Sequence, residues 1–303
     1  MNKKVTLKNK TEGIYNFMDY KKVSTKTIYV ILVLILVITS IISLFPVIWV
    51  FLSSFKSPTE FFSKEFTLFP NKIDFGKVIT LWSELELLKY YVNSLVLVFG
   101  AVICSIFFNG LLAYAVSILK PKGYQIIYAL VMMTMMVPAV TNMYPLLQNF
   151  VKFEELTGIK MFGSYLPLCL AYGANAFYFT LFKTNFDRLP KEVFEAATID
   201  GCNKMQMFFK IVLPLSIPIM VVVAIFTVNA AWSDFLLPYL VLMGNADKNT
   251  IMIRIFSLQM NPPQGFTQDK LFMLISLSII PVIIIFAIFQ RQITSAQTGT
   301  GKD

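Results

Sequence analysis

Long uncharged stretches alternate with short charged ones along the whole chain. Lys26 to Lys56 encloses 29 uncharged residues, Lys89 to Lys120 encloses 30 and Lys122 to Lys152 encloses 29. Lys160 to Lys183 encloses 22, Lys210 to Asp234 encloses 23 and Lys270 to Arg291 encloses 20. A helix needs roughly 20 apolar residues to cross the hydrocarbon core of a bilayer. In lipid only helices and closed barrels satisfy every backbone polar group. These stretches show no period-two alternation, so a barrel is excluded. The pattern predicts an all-α polytopic membrane protein with six transmembrane helices. The expected spans are 28–52, 91–119, 124–147 (interrupted at Pro138 and Pro145), 164–182, 211–242 (kinked near Pro238) and 271–289. The domain plan that follows is a basic tail over 1–26, a membrane domain over 27–292 containing an inside loop at 187–212, and a tail over 293–303. No internal or inverted repeat is visible.

Composition agrees with that class. The chain of 303 residues is 56% hydrophobic and only 14% charged, against about 25% charged in a typical soluble domain. The net charge of +9 is a topology signal rather than a nucleic-acid patch. With the N-terminal tail inside, 16 of the 26 Lys and Arg residues fall on the inner side, in short segments. The bias of basic residues toward the cytoplasm then places both termini there. The first apolar run is too long for a cleavable signal, and no small-x-small site follows it. The three cysteines, Cys104, Cys169 and Cys202, imply neither a disulfide framework nor a metal site.

Several chemistries are missing. The chain has no histidine, so it offers no His–metal centre and no Ser-His-Asp triad. No GxxxxGK[ST] phosphate loop is present, and no ATPase or other catalytic residue is expected. Ion-coupled pumps usually keep ionisable groups inside their spans. Here only Asp234, near the outer end of the fifth span, qualifies, and it reads as a helix-end partner. A transport protein of this kind needs a borrowed energy source.

Leu189 to Gly201 is the segment that breaks the monotony. It reads as a short, well-bounded helix. Pro190 suits a first helical position, Glu192 and Glu195 favour the positive end of the dipole, and Gly201 suits the residue after the C-cap. Val193, Ala196, Ala197 and Asp200 share a face at spacings of three and four. A second amphipathic turn, 205–209, leads to Leu213-Pro214 and the fifth span.

Glu195-Ala196-Ala197, then Gly201, then Ile211-Val212-Leu213-Pro214 resembles the EAA loop of ABC importer permeases. The resemblance extends further. Phe45-Pro46-Val47-Ile48-Trp49 through Ser54-Phe55-Lys56-Ser57-Pro58 is similar to the end of the first helix in carbohydrate permeases of the maltose-type second subunit. Trp232-Ser233-Asp234-Phe235-Leu236 with Pro238 resembles their W-[NS]-D-F-L-x-P segment. Gln290-Arg291 and the Gly-rich tail ending in Lys302 resemble their C-terminal end, although Gln297 to Asp303 lacks the usual apolar-small run. The resemblance implies the type I ABC permease fold in a bacterial inner membrane. It implies a second permease subunit, two cytoplasmic ATPase subunits that bind ATP, and an extracytoplasmic solute-binding protein. It also implies that Pro190, Val193, Glu195, Ala196, Ala197, Asp200 and Gly201 form the ATPase-coupling surface. The chain itself would hold no cofactor.

A sugar needs amides, hydroxyls and aromatic faces. Asn142, Tyr144, Asn175, Asn229 and Trp232 are the candidates for the substrate pathway, with Asn109 and Tyr172 as further polar or aromatic positions within spans. The loop 245–267 resembles the outer loop that reaches toward the binding protein. Two other readings stay open: a permease for another small solute, and an ion-coupled secondary transporter acting alone.

Overall fold

The computed structural model describes residues 23–63 and 67–298. Of the tail expected over 1–26, residues 1–22 fall outside the described residues, with every basic residue but Lys26; of the tail expected over 293–303, residues 299–303 do, with Lys302.

Fifteen α-helices are described. In chain order they are α1 (Val23–Ser54), α2 (Pro58–Phe61), α3 (Gly76–Glu84), α4 (Leu87–Tyr114), α5 (Tyr124–Thr134), α6 (Ala139–Thr157), α7 (Leu166–Gly173) and α8 (Ala176–Phe186). Then come α9 (Lys191–Ile199), α10 (Lys204–Met207), α11 (Leu213–Leu215), α12 (Ile217–Ser233), α13 (Leu236–Val241), α14 (Ile251–Met260) and α15 (Gln268–Thr298). Among the described residues no strand is present.

Three helices are long and apolar enough to cross a membrane whole: Lys26–Ser54, Leu87–Leu119 and Gln268–Gln290. The other three expected spans are interrupted, each for a local reason. The third stops at Thr134 and resumes after Pro138, because the residue before a proline is pushed out of the helical region. Pro145, expected as a second break, sits inside α6 without ending it. That helix runs on to Thr157 and ends at Gly158, φ +72°, so most of the loop expected from Gln148 is helical. The fourth span breaks at Ala174-Asn175.

The fifth departs most from expectation. Ile211 to Leu215 does not belong to it. Lys204–Leu215 and Ile217–Ser233 meet at 82°, with the turn at Ser216 between Pro214 and Pro218, neither of which carries an N–H for a helical bond. The outer break comes at Asp234 rather than at Pro238. Its carboxylate Oδ1 accepts the N–H groups of Leu236 at 3.0 Å and Leu237 at 3.4 Å and so caps α13. Two segments expected as loops contain helices. In the first, Ser57 and Glu60 form a reciprocal capping box around α2, with Pro58 at its start. In the second, Thr250 caps α14 by accepting the N–H of Ile253.

α4 is the hub. It packs against α7, α8 and α12. The α4–α7 contact is made by small residues: a Cβ on Gly100 would stand 2.6 Å from the Cys169 sulfur, and one on Gly173 would stand 3.2 Å from the Cys104 carbonyl. Close backbone approach of this kind supplies van der Waals energy where lipid removes the hydrophobic drive. At the end of the bundle away from α9, Lys77 ties three segments together. Its ammonium pairs with Asp269 at 2.5 Å and donates to the carbonyls of Ser54 at 2.8 Å and Lys56 at 3.1 Å. α1 packs chiefly along α15 and leaves a wall of exposed Ile, Leu and Val, which only lipid or another subunit can cover.

Candidate functional site: the loop around α9 and the polar positions of the spans

α9 begins directly after Pro190, whose extended backbone (φ −60°, ψ 129°) makes it the N-cap rather than the first helical residue. Glu192 lies in the first turn. The far end closes in a full Schellman motif. Gly201 has φ +78°, its N–H donates to the Thr198 carbonyl at 3.1 Å, and the Cys202 N–H donates to the Ala197 carbonyl at 3.0 Å. Asn203 and Gln206 then form a second capping box, with bonds of 2.8 and 3.0 Å, that starts α10. A π turn over Phe208–Val212 leads through α11 to the bend at Ser216. Each cap is supplied by the loop's own residues, by backbone at Pro190 and Gly201 and by side chains at Asn203 and Gln206.

The structure divides the face expected on α9. Ala197 is buried, and Val193 and Phe194 are half-buried. Phe194 packs against the cluster that holds Phe179, Phe182, Phe186 and Phe208. These residues seat the helix on its own chain. The open face carries Glu192, Glu195, Ala196, Thr198 and Ile199, with Asp200 exposed at its end. Ile199 is 86% exposed. It stands on the open face with the carboxylates of Glu192 and Glu195. From the sequence Glu192 reads only as a helix-start charge and Ile199 is not singled out, although Glu192, Glu195 and Ile199, spaced three and then four apart, lie on one stripe.

The five expected pathway residues separate into two groups. Asn142 and Tyr144 are exposed on α6, where Gln148 donates to the Tyr144 hydroxyl at 2.8 Å. Asn229 is exposed on α12 and borders a cavity of about 270 Å³ with Phe226, Val282 and Phe286. The remaining two are committed within the chain. Trp232 is 4% exposed, its indole N–H donates to the Ser278 carbonyl at 3.0 Å, and its ring lies 5.8 Å from Tyr91. It therefore offers no free stacking face. Asn175 caps α8, accepting the N–H groups of Phe177 at 2.9 Å and Tyr178 at 3.1 Å. Tyr172 likewise spends its hydroxyl on Asp234, at 2.9 Å, which gives Asp234 the role of a helix-end partner.

The network around Asn109 emerges only in three dimensions. Asn109 is 3% exposed. Its Oδ1 accepts the backbone N–H of Asn175 at 3.1 Å, and its amide donates to the Ser105 carbonyl at 2.8 Å. Thr227 of α12 joins through the Ser105 hydroxyl at 3.0 Å. The network staples α4 and α12 to the break in the fourth span. It satisfies backbone that lipid could not.

Comparison with known proteins agrees with this geometry. A family model described as "Binding-protein-dependent transport system inner membrane component" matches residues 107–297. The chain is 31% identical over 269 residues to the diacetylchitobiose uptake system permease protein NgcG of Streptomyces coelicolor, covering 88% of this chain and 86% of that one. It is 31% identical over 263 residues to the arabinooligosaccharides transport system permease protein AraQ of Halalkalibacterium halodurans, covering 86% and 91%. Its fold superposes with a TM-score of 0.76, at 20% identity, on a chain of a bacterial ABC transporter involved in import of the acidic polysaccharide alginate, covering 92% of this chain and 99% of that one. The matched stretch contains α9 and the breaks of all three interrupted spans, and on these grounds the chain belongs to the inner-membrane components of binding-protein-dependent transport systems, as a permease subunit of an ABC importer and not an enzyme.

Proposed function

We propose that the chain is one of two permease subunits of an ATP-driven importer for a neutral oligosaccharide. A solute-binding protein delivers the sugar on the outer side, and two ATPase subunits bind the ATP and dock on α9. The observation that carries the sugar reading is the pair of 31% identical relatives named for diacetylchitobiose and arabino-oligosaccharide uptake, matched over most of their length. The exposed polar positions fit it. Asn142, Tyr144 and Asn229 supply amides and a phenol, and α12 contains no Lys or Arg, as suits an uncharged substrate. Docking is supported by the open face of α9, where Glu195 can meet a basic residue of the ATPase and Ala196 lets the partner's backbone approach. Val193 and Ala197 support that surface from beneath, Pro190 and Gly201 fix its ends, and Asp200 extends its charge.

The test is uptake into proteoliposomes holding the complete transporter, with diacetylchitobiose, arabino-oligosaccharides and an amino-acid mixture offered together with the binding protein. Uptake of one sugar that requires internal ATP is the expected result. Uptake driven by an ion gradient without ATP, or uptake of amino acids alone, refutes the proposal.

The orientation is tested separately. In a background without native cysteines, single cysteines at Asn71 and Asp247 should react with an impermeant thiol reagent added to intact cells. One at Lys191 should react only after lysis. All three positions are exposed, so their reactivity reports the side of the membrane and not burial. Labelling at Lys191 from outside would reverse the topology.

A further inference from the structure

The α9 end of α4 carries a tyrosine that neither the motif nor the pathway reading uses. Tyr114 is 1% exposed, and its hydroxyl donates to the carbonyl of Lys204 at 3.0 Å. Lys204 is the first residue of α10, where the chain becomes helical again after α9. Phe208, fully buried, lies 5.3 Å ring to ring from Tyr114. It also rests over Gly110, where a Cβ would stand 3.7 Å from the Phe208 ring. Phe209 stacks on Phe107 at 6.3 Å. Phe107, Gly110 and Tyr114 are spaced three and four apart and form one stripe of α4. That stripe grips the start of α10 and its π turn.

The other flank of α9 borders open space. A cavity of about 250 Å³ lies between it and the end of α4, lined by Ser117, Lys120, Phe186, Leu189, Phe194 and Glu195 among others. α9 is thus held to α4 on the α10 side and has room on the other. A push on its open face can tilt it toward the cavity while the α10 end stays attached.

We propose that Tyr114 is the positioning residue through which displacement of α9 is delivered to α4. The inference rests on the reading of α9 as the ATPase docking helix. What α4 receives it can pass on, because the same helix holds Asn109 against the break at Asn175 and Ser105 against Thr227. A packed, hydrogen-bonded contact between rigid elements is the physical means of such transfer. The π turn fits the role, since such turns recur at functional positions in helices.

Tyr114→Phe removes one oxygen and keeps the ring. The Lys204 carbonyl retains the Phe208 N–H as a partner, so the chain should fold. The complete transporter, with its binding protein, is placed in proteoliposomes with radiolabelled diacetylchitobiose or arabinotriose, whichever the binding protein retains. ATPase retention on the permease is expected to stay at the wild-type level. ATP hydrolysed per sugar imported is expected to rise about fivefold, the scale set by one buried hydrogen bond. Phe208→Leu, which unseats the ring from Gly110, should move the ratio the same way. A purely structural role would lower abundance, or both activities in parallel, and leave the ratio unchanged. A wild-type ratio in both variants overturns the proposal. Gly201→Val, measured alongside for ATPase retention, reports on docking itself. Unaltered retention there counts against the docking reading, whereas an unaltered ratio in the Tyr114 and Phe208 variants counts against the transfer role alone.

Discussion

Gly201→Val should abolish uptake while the permease remains in the membrane at normal abundance. The reason is the backbone. Gly201 has φ +78°, a left-handed conformation that costs an L-residue roughly 1–2 kcal/mol and a β-branched one more. Space is not the obstacle, since nothing lies within 4 Å of a Cβ built there. The strain falls on the two bonds that close α9, from Gly201 to Thr198 and from Cys202 to Ala197. Losing them frees the last turn and shifts Ile199 and Asp200 on the open face. Glu195→Ala tests the same surface without touching the backbone. It removes a charged contact worth about 1.5–3 kcal/mol once a partner covers it. Both variants lie outside the spans, so insertion should be unaffected. The measurements are sugar uptake, ATPase activity of the complex and ATPase retained on the purified permease. Wild-type values for both variants would reduce α9 to a connector. Gly201→Ala, which bears a smaller Cβ penalty than valine, should fall between.

The two variants also separate geometry from charge. If Gly201→Val releases the ATPase and Glu195→Ala does not, the apolar and small residues of the face, Ile199 and Ala196, carry the contact. Ile199→Ser is then the decisive third substitution. An 86% exposed isoleucine contributes almost nothing to the stability of the isolated chain, so any loss of retention comes from the interface.

The parts that could be read from the sequence are those governed by local chemistry. Runs without charge locate the three helices long and apolar enough to cross a membrane whole, because lipid excludes charge. Pro190 and Gly201 bound α9 because they act through their own backbone, and the structure moves Pro190 by one position only. The breaks were harder. Pro138 interrupts a span and Pro145 does not, although both lie in the same apolar segment: α6 runs on through Pro145 to Thr157. The break at Asn175 carries no proline at all. It exists because Asn109, 66 residues earlier in the chain, accepts the N–H that the break releases, and no local pattern contains that pairing. The right-angled turn at Ser216 was hidden for a related reason. Ile211 to Leu215 is as apolar as the span that follows, and only the geometry shows the two to be different helices.

The candidate site divides in the same way. Residue type identified Asn142, Tyr144 and Asn229, which remain open. It also proposed Trp232 and Asn175, whose indole N–H and amide oxygen are already used. An indole in an apolar run is equally suited to stacking on a sugar and to donating to a carbonyl, and here the N–H donates to the Ser278 carbonyl. Which face of α9 points outward depends on Phe179, Phe182 and Phe208 of other helices, so Val193 and Ala197 could not be told from Glu192 and Ile199 by periodicity alone.

The second large effect is expected at Asn109. Asn109→Leu keeps the volume close to that of the native side chain and removes both of its hydrogen bonds. Interhelical hydrogen bonds in membranes average only about 0.6 kcal/mol, so the lost attraction is not the main term. The main term is the Asn175 N–H, left half-buried and without a partner at a helix break, at a cost of up to about 1–3 kcal/mol. The Ser105 carbonyl loses less, because it lies within α4 and remains available to the helix's own N–H groups. The chain should respond by moving α8 relative to α4, which also displaces Tyr178 and Phe179 from the cluster beneath α9. Unfolding of the purified complex in mixed micelles should therefore start earlier, and uptake should fall by at least about tenfold if the full 1.4 kcal/mol per decade is expressed. Asn109→Asp is the control. It retains an acceptor at Oδ1, and in its neutral form a donor toward Ser105, so acidic buffer should restore its stability toward the native level. Wild-type stability and uptake in Asn109→Leu would show that the break at Asn175 is held by packing and not by this bond.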